Sequence, residues 1–300
     1  MKNTFMQFPL LRSQLYIPGT NPSMLQNAAW MGSDGVILDL EDAVSLAEKD
    51  SARNLVAEAL KSVNFGSVFK TVRINATDTE FWLKDLQAVI PGRPDAIRLP
   101  KAESAEAVRE VDRFMAQIEK ENGLPIGEIK IHAMLETANA VLDAREIARS
   151  CPRVTAISLG GQDLAADMGV LRTSTGEELM TARGLVVLAA RAARVMAFDT
   201  PFTNLNDNEG LAREASFDMQ IGFSGKAAIH PLQCKIINQA YCPTEKALKK
   251  AIAVARAWKE AQAAGSGVCK VNGAMVDAPV VEQSLSVLQR ARAAGIAFEE

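Results

Sequence analysis

Residues 130–163 read KIHAMLETANAVLDAREIARSCPRVTAISLGGQD, with two short apolar stretches on either side of a longer amphipathic segment. The apolar stretches, Lys130–Leu135 and Thr155–Leu159, have the length of β-strands, whereas the repeat of apolar positions in Ala140–Ala148 is typical of a helix. A strand, a helix and a second strand in this order form a βαβ unit, in which the two strands lie parallel in one sheet.

The same alternation of strand and helix extends in both directions along the chain. The remaining candidate strands are Gln14–Ile17, Val36–Leu40, Val68–Ile74, Ala96–Leu99, Met196–Phe198 and Ala227–Ile229. Further helical patterns occupy Lys49–Leu60, Ala105–Ile118 and Leu179–Ala193. Eight such units in about 240 residues predict an α/β fold of the (β/α)8 TIM-barrel type. A doubly wound open sheet is the alternative, but no Gly-x-Gly-x-x-Gly motif follows the first strand.

The pattern changes after residue 243. Thr244 is a candidate N-cap for a helix over residues 247–264, and Asn272-Gly273 predicts a hairpin turn between two short strands. A final helix has Pro279 in its first turn. We therefore expect a catalytic barrel domain over residues 1–243 and a C-terminal helix-hairpin-helix extension over residues 244–300.

The composition excludes several classes of partner. Of the 300 residues, 48% are hydrophobic and 23% charged, and the net charge of -3 provides no general attraction to nucleic acid or to an anionic membrane. No apolar run reaches membrane-spanning length, and the first ten residues do not resemble a signal peptide. The four cysteines lack metal-binding or redox spacing. We expect a cytoplasmic protein that binds any anionic substrate through a local cluster of arginines.

Glu136 directly follows one strand, and Asp163 lies just beyond the end of the next strand, after Gly160-Gly161-Gln162. In a barrel, the carboxyl ends of all strands share one rim, where the loops form the active site. Two carboxylates, together with water and substrate oxygens, are common ligands of Mg²⁺. The pair is therefore a candidate metal site, and the alternative is that both residues only stabilise the starts of the helices that follow.

Arg73 lies at the end of the third strand and is a candidate anion-binding residue. Its guanidinium could bind a carboxylate and stabilise developing negative charge on oxygen. It could equally form an ion pair with Asp39, Glu41 or Asp42 from the preceding strand. We expect one or two of these acids to lie behind the site and to orient Arg73, Arg12 or a water molecule.

Other catalytic chemistries receive less support from the sequence. His132 lies inside an apolar strand and is predicted to be a buried residue with its hydrogen bonds satisfied, while His230 could reach the rim. Neither a nucleophile elbow nor a P-loop is present. A Schiff-base aldolase needs a lysine near the site, and Lys101 and Lys226 leave that alternative open.

Eight ordered motifs between Arg12 and Ala294 carry a family resemblance. They are RSQLYIPG at 12–19, VILDLEDAV at 36–44, VRIN at 72–75, AIRLPK at 96–101, LET at 135–137, GGQDL at 160–164, GFSGK at 222–226 and NGAMVDAP at 272–279. Together they resemble the citrate lyase beta-subunit family, which belongs to the HpcH/HpaI aldolase and malyl-CoA/citramalyl-CoA lyase superfamily.

The resemblance implies a homo-oligomeric barrel, a trimer or hexamer, that cleaves a 3-hydroxyacyl-CoA to acetyl-CoA and a 2-oxo acid by retro-Claisen chemistry. Glu136 and Asp163 match the Mg²⁺ ligands of the family, and Arg73 and Glu136 match its substrate-binding residues. Asp277 matches an aspartate that reaches the neighbouring subunit's site and is our candidate acid for protonating the enolate. Gln162 departs from the family, which commonly has Glu at that position.

The resemblance does not decide the substrate, which could be citryl-CoA, citramalyl-CoA or malyl-CoA. Two other functions stay open on the sequence alone. One is a citrate lyase beta subunit that acts only in a multi-subunit complex on an acyl-carrier thioester. The other is an acyl-CoA thioesterase.

Overall fold

The computed structural model describes residues 8–263, 265–271 and 273–299. The chain separates into two compact units. One spans Leu11–Asn238, and the other consists of residues from Gln239 onward together with the described residues before Leu11. Residue 243, at which we expected the domain boundary, lies within the second unit.

The first unit is a closed barrel of parallel strands that follow one another in chain order, as predicted. The strands are β1 (Ser13–Pro18), β2 (Gly35–Asp39), β3 (Phe69–Arg73), β4 (Ala96–Leu99), β5 (Lys130–Leu135), β6 (Val154–Leu159), β7 (Met196–Asp199) and β8 (Gly225–Ala228). Pairing of β8 with β1 closes the sheet. The prediction of a (β/α)8 barrel is confirmed.

Helices connect the strands around the outside of the barrel. They are α1 (Pro22–Gln26), α2 (Lys49–Ser62), α3 (Trp82–Val89), α4 (Ala105–Glu121), α5 (Ala138–Leu142), α6 (Ala144–Ala148), α7 (Gly161–Asp167), α8 (Met180–Ala193), α9 (Asn208–Ile221) and α10 (Pro231–Ala240). The single helix expected over Ala140–Ala148 is divided at Asp143, which has non-helical backbone angles and lies between α5 and α6. No helix in the described ranges is both long and apolar enough to cross a membrane.

The barrel interior is more polar than the layer between sheet and helices. Alternation along each strand directs residues such as Val36 and Leu38 outward and directs Gln14, Arg98 and His132 inward. His132 is completely buried, as predicted, and stacks on Phe69 with ring centroids 5.7 Å apart. The expectation that its hydrogen bonds are satisfied is wrong: neither ring nitrogen of His132 has a hydrogen-bond partner among the described residues.

The second unit contains α11 (Glu245–Ala263), β9 (Cys269–Val271), β10 (Ala274–Val276) and α12 (Ala278–Ala293). As predicted, Thr244 caps its helix by accepting a hydrogen bond from the Ala247 amide at 3.2 Å. β9 and β10 form the expected antiparallel hairpin, although Asn272 of the predicted turn lies outside the described residues. Val254, Val276 and Val281 form a small apolar core between the hairpin and the helices.

Candidate active site

Glu136 and Asp163 come together at the carboxyl-terminal rim of the barrel. Glu136 directly follows β5 and is buried, whereas Asp163 lies in the exposed first turn of α7, after β6. Their carboxyl groups lie close enough together to interact with each other. Burial raises the pKa of Glu136 to about 7, and the nearby charge of Asp163 contributes to the increase. A proton or a cation must therefore hold these two acids together.

The main chain of Lys101 fixes one side of Glu136. Its N–H donates a hydrogen bond to Oε2 of Glu136, and this contact opposes the rise in pKa. Lys101 adopts a left-handed backbone conformation with φ of 45°, which costs a non-glycine residue about 1 kcal/mol. The sequence suggested Lys101 only as a candidate Schiff-base lysine, and no pattern pointed to its amide as a partner of Glu136.

Arg73 makes the ion pairs that the sequence left open. Its Nε and Nη2 bind both oxygens of Asp39 at 2.6 Å. Its Nη1 lies 2.9 Å from Oε2 of Glu41 and 3.0 Å from Oδ2 of Asp42. The bidentate pair with Asp39 sets the plane of the guanidinium, while Nη1 is the edge at which a ligand oxygen could replace a carboxylate.

Glu41 is buried within the acidic loop, residues 39–42, at the end of β2. Burial raises its pKa to about 8, against the opposing charge of Arg73. The loop is anchored from behind by Lys49, whose Nζ donates to the carbonyl oxygens of Leu40 and Glu41 at 2.8 Å and 2.7 Å. Lys49 was not identified from the sequence, because a lysine at the start of a helix gives no sign that its ammonium group is buried.

Arg12 lies apart from this cluster, so of the alternatives that the sequence left for the acidic residues, the contact that the structure contains is the one with Arg73. Arg12 precedes β1, so it lies at the amino-terminal end of the barrel, whereas the rim residues follow their strands. Its Nε and Nη2 bind the two carboxylate oxygens of Asp34 at 2.8 Å.

His230 has a local role at the start of α10. Its Nδ1 accepts a hydrogen bond from the Leu232 amide.

Lys226 belongs to a separate, buried ionic network on the outer face of β7 and β8. Its Nζ lies 2.7 Å from Asp199, 2.7 Å from Glu214 and 3.0 Å from Asp218, and Arg183 contacts the same acids. Burial alone would lower the pKa of Lys226, but the charges of its acidic neighbours raise it above the usual value. A Schiff-base lysine has to be neutral to react, so this environment disfavours Lys226 as a nucleophile.

The three acids of this network lie close enough together to ligate a cation, within 4.8 Å of one another. Lys226 and Arg183 already provide their positive charge, so the network has no need of a metal ion. In the described part of the chain, no lysine or arginine forms an ion pair with Glu136 or Asp163. A divalent cation therefore fits the rim pair and does not fit this network.

Asp277 lies in the second unit, where it is the N-cap of α12. Its Oδ1 accepts a hydrogen bond from the Val280 amide at 3.3 Å, and the side chain is exposed. Within its own unit, Asp277 thus has a structural role as a helix cap.

Residues 12–231 match the HpcH/HpaI aldolase/citrate lyase family. The chain belongs to this family. It is 46% identical to the citrate lyase subunit beta of Leuconostoc mesenteroides subsp. cremoris over 284 residues, which cover 95% of this chain and 94% of that protein. It is also 35% identical to a (3S)-malyl-CoA thioesterase of Cereibacter sphaeroides, over 94% of this chain and 95% of that one.

Among solved structures of the family, the chain is similar to CitE of Mycobacterium tuberculosis in complex with magnesium, acetoacetate and coenzyme A. The TM-score is 0.77 at 31% identity, and the match covers 94% of this chain and 98% of the other. The family predicted from the ordered motifs is therefore confirmed. The prediction of Mg²⁺ agrees with the magnesium in this relative and with the carboxyl pair at the rim.

Proposed function

We propose that this chain is a Mg²⁺-dependent carbon–carbon lyase that cleaves a 3-hydroxyacyl-CoA to acetyl-CoA and a 2-oxo acid. The observation that carries the proposal is the close pair of Glu136 and Asp163, whose carboxyl groups form no ion pair with a lysine or arginine side chain among the described residues. These two carboxylates would hold the metal ion. When bound, Mg²⁺ supplies Lewis-acid stabilisation to the carboxylate and hydroxyl oxygens of the substrate.

Arg73 is the residue that we expect to bind the substrate's negative charge. Its Nη1 would exchange Glu41 or Asp42 for a substrate oxygen, while Asp39 keeps both of its hydrogen bonds and holds the guanidinium plane. A fixed, buried cation at this position stabilises the charge that develops as the bond breaks.

The reaction breaks the bond between C2 and C3 of the acyl chain. The 3-hydroxyl gives its proton to a water molecule or to a rim carboxylate, and its oxygen forms the new carbonyl group of the 2-oxo acid. The electrons of the broken bond pass to the thioester as an enolate. Protonation of that enolate at C2 yields acetyl-CoA. We assign this protonation to Asp277 of a neighbouring subunit, in a trimer or hexamer assembled through the C-terminal extension.

Citryl-CoA, citramalyl-CoA and malyl-CoA are the proposed substrates, because they share the 3-hydroxy-3-carboxy group that this site suits. The identity to a citrate lyase subunit favours a second possibility, in which the chain acts only within a complex on an acyl-carrier thioester. The similarity to a malyl-CoA thioesterase favours a third, hydrolysis of the thioester without cleavage of the carbon chain.

Mass analysis of the products separates the three. Purified protein is incubated with each CoA thioester, with Mg²⁺ and with EDTA. Acetyl-CoA and a 2-oxo acid formed only with Mg²⁺ support the lyase. Free CoA with an intact hydroxy acid identifies a thioesterase, and activity on an acyl-carrier thioester alone identifies the complex-dependent subunit.

A further inference from the structure

Tyr16 lies beneath Arg73 and points into the barrel. Although it belongs to β1, it contacts residues of β3, β4 and β5, which only an inward side chain can reach. The Arg73 guanidinium lies over its ring, 4.9 Å from the centroid. Its hydroxyl accepts a hydrogen bond from Nη1 of Arg98 at 3.5 Å and donates to Sδ of Met134 at 3.9 Å.

The exposed part of Tyr16 faces the rim. Tyr16 is partly exposed, whereas Gln14, Arg98 and His132 in the interior are at most 1% exposed. Solvent therefore reaches Tyr16 from the carboxyl-terminal end of the barrel, the end at which Arg73 and Glu136 lie. A ligand bound to those two residues would lie above the tyrosine.

Arg98 is a buried cation with an unusual set of partners. Its Nη2 donates to Oε1 of Gln14 at 2.9 Å, and no carboxylate among the described residues lies within ion-pair distance of it. Burial of a charge without an opposite charge costs several kcal/mol, so stability alone does not explain an arginine at this position.

The chemistry of the two groups sets the direction of the tyrosine proton. A guanidinium has donors and no acceptor, so Tyr16 can only accept from Arg98 and must direct its own proton elsewhere. The acceptor that it now has, the Met134 thioether, is weak. A carboxylate or carbonyl oxygen of a ligand is a much better acceptor for the same proton.

We propose that the Tyr16 hydroxyl donates a hydrogen bond to an oxygen of the bound 2-oxo acid. It donates in the same way to the corresponding oxygen of the acyl chain before cleavage. Arg98 is the positioning residue that keeps Tyr16 a donor. This inference rests on the proposed function, because the ligand that it names is that of the lyase reaction.

The first test measures the binding of pyruvate and oxaloacetate, with Mg²⁺ present, by calorimetry. Tyr16→Phe retains the ring beneath Arg73 and removes only the hydroxyl, so binding should weaken by about tenfold to a hundredfold. Tyr241→Phe, which removes the hydroxyl of the other tyrosine in the chain, is the matched control and should bind as the wild type does.

These measurements separate the inference from the proposed function. If the wild type binds neither acid and cleaves none of the thioesters, both fail. If the wild type binds and cleaves while Tyr16→Phe binds with unchanged affinity, only the role of Tyr16 is overturned.

The second test observes the hydrogen bond directly. In the Tyr241→Phe variant, Tyr16 is the only tyrosine, so the tyrosine Fermi doublet in the Raman spectrum reports whether its hydroxyl donates or accepts. Addition of pyruvate with Mg²⁺ should change the intensity ratio of the two bands towards that of a hydroxyl that donates a stronger hydrogen bond. An unchanged doublet at saturating ligand contradicts the proposal.

The third test addresses Arg98. Arg98→Met removes a buried, uncompensated charge, so the variant should be at least as stable as the wild type towards denaturant. It should nevertheless bind the 2-oxo acid several-fold more weakly, and Arg98→Lys, which still only donates, should recover part of the affinity. Unchanged affinity in Arg98→Met would remove the positioning role.

Discussion

Gly160 lies directly against the side chain of Glu136: a Cβ atom at position 160 would come within 2.9 Å of Oε1 of Glu136. Backbone angles do not require glycine here, because φ of Gly160 is -94°. The missing side chain instead leaves the space in which the Glu136 carboxyl group approaches Asp163.

Gly160→Ala should therefore displace Glu136 without unfolding the barrel. Residues that support a metal ligand typically contribute about tenfold to a hundredfold to metal affinity. We expect a loss of Mg²⁺ affinity in this range, measured by calorimetry.

Gly184→Ala in α8 is the control, because an added Cβ there meets nothing within 4 Å. It should raise stability by about 1 kcal/mol and leave Mg²⁺ binding unchanged. Equal Mg²⁺ affinity in both variants would show that Gly160 does not shape the site.

Mg²⁺ binding should depend on pH through Glu136. Its pKa of about 7 means that the metal competes with a proton below that pH. The dissociation constant should fall by up to about tenfold per pH unit as pH rises towards 7 and should change little above it. Glu136→Gln should abolish tight binding at every pH. The same substitution of Glu106, an exposed residue of α4, should preserve the wild-type profile.

Without Mg²⁺, the carboxyl group of Glu136 should make the free energy of unfolding fall as the pH rises. Its pKa is raised in the folded protein, from 4.5 to about 7. The folded state therefore binds more protons, and the resulting stability is present below about pH 4.5 and lost as pH rises through 7. Chemical denaturation of the metal-free protein at several pH values measures this loss, which should be smaller in Glu136→Gln. An identical pH dependence in that variant would contradict the assignment to Glu136.

The buried ionic network should respond very differently to two substitutions. Burial, together with the charge of Asp199, raises the pKa of Asp218 to about 8, so we expect this carboxyl group to be protonated at neutral pH. Asp218→Asn should change the free energy of unfolding by less than about 1 kcal/mol, because the amide replaces a neutral carboxyl group. Lys226→Met leaves buried acids without their ammonium partner and should cost about 3–5 kcal/mol. Equal losses in urea denaturation would mean that Asp218 is charged.

Asp277 allows its structural and catalytic roles to be separated. Asp277→Ser retains an N-cap for α12 and removes the carboxyl group, whereas Asp277→Ala removes both. The alanine variant should lose about 1 kcal/mol of stability relative to serine. Both should lower turnover by about 10²–10⁴-fold if Asp277 is the acid. Wild-type turnover in Asp277→Ser would restrict the residue to capping.

A mixing experiment tests whether Asp277 acts in a neighbouring subunit. Arg73→Lys chains and Asp277→Ser chains, each inactive alone, should form some intact sites when refolded together. Recovery of activity in the mixture supports a site shared between subunits, and no recovery in verified mixed oligomers contradicts it.

The sequence alone determined the barrel and the residues at its rim. Strands such as Ala96–Leu99 and Lys130–Leu135 have the bounds that the sequence predicts, because the strand residues that face the helices have to be apolar. Glu136 and Asp163 follow from the same rule, since residues that end neighbouring parallel strands share one edge of the sheet.

Only the tertiary structure decided which charges meet. Three buried cations illustrate this point. Arg73 binds three carboxylates and Lys49 binds two carbonyl oxygens. Arg98 has no carboxylate partner among the described residues. These differences depend on rotamers and on contacts between strands far apart in the chain, which periodicity does not encode. The rim pair of Glu136 and Asp163 could thus be located from the sequence, whereas the tyrosine and arginine beneath it required the packed barrel.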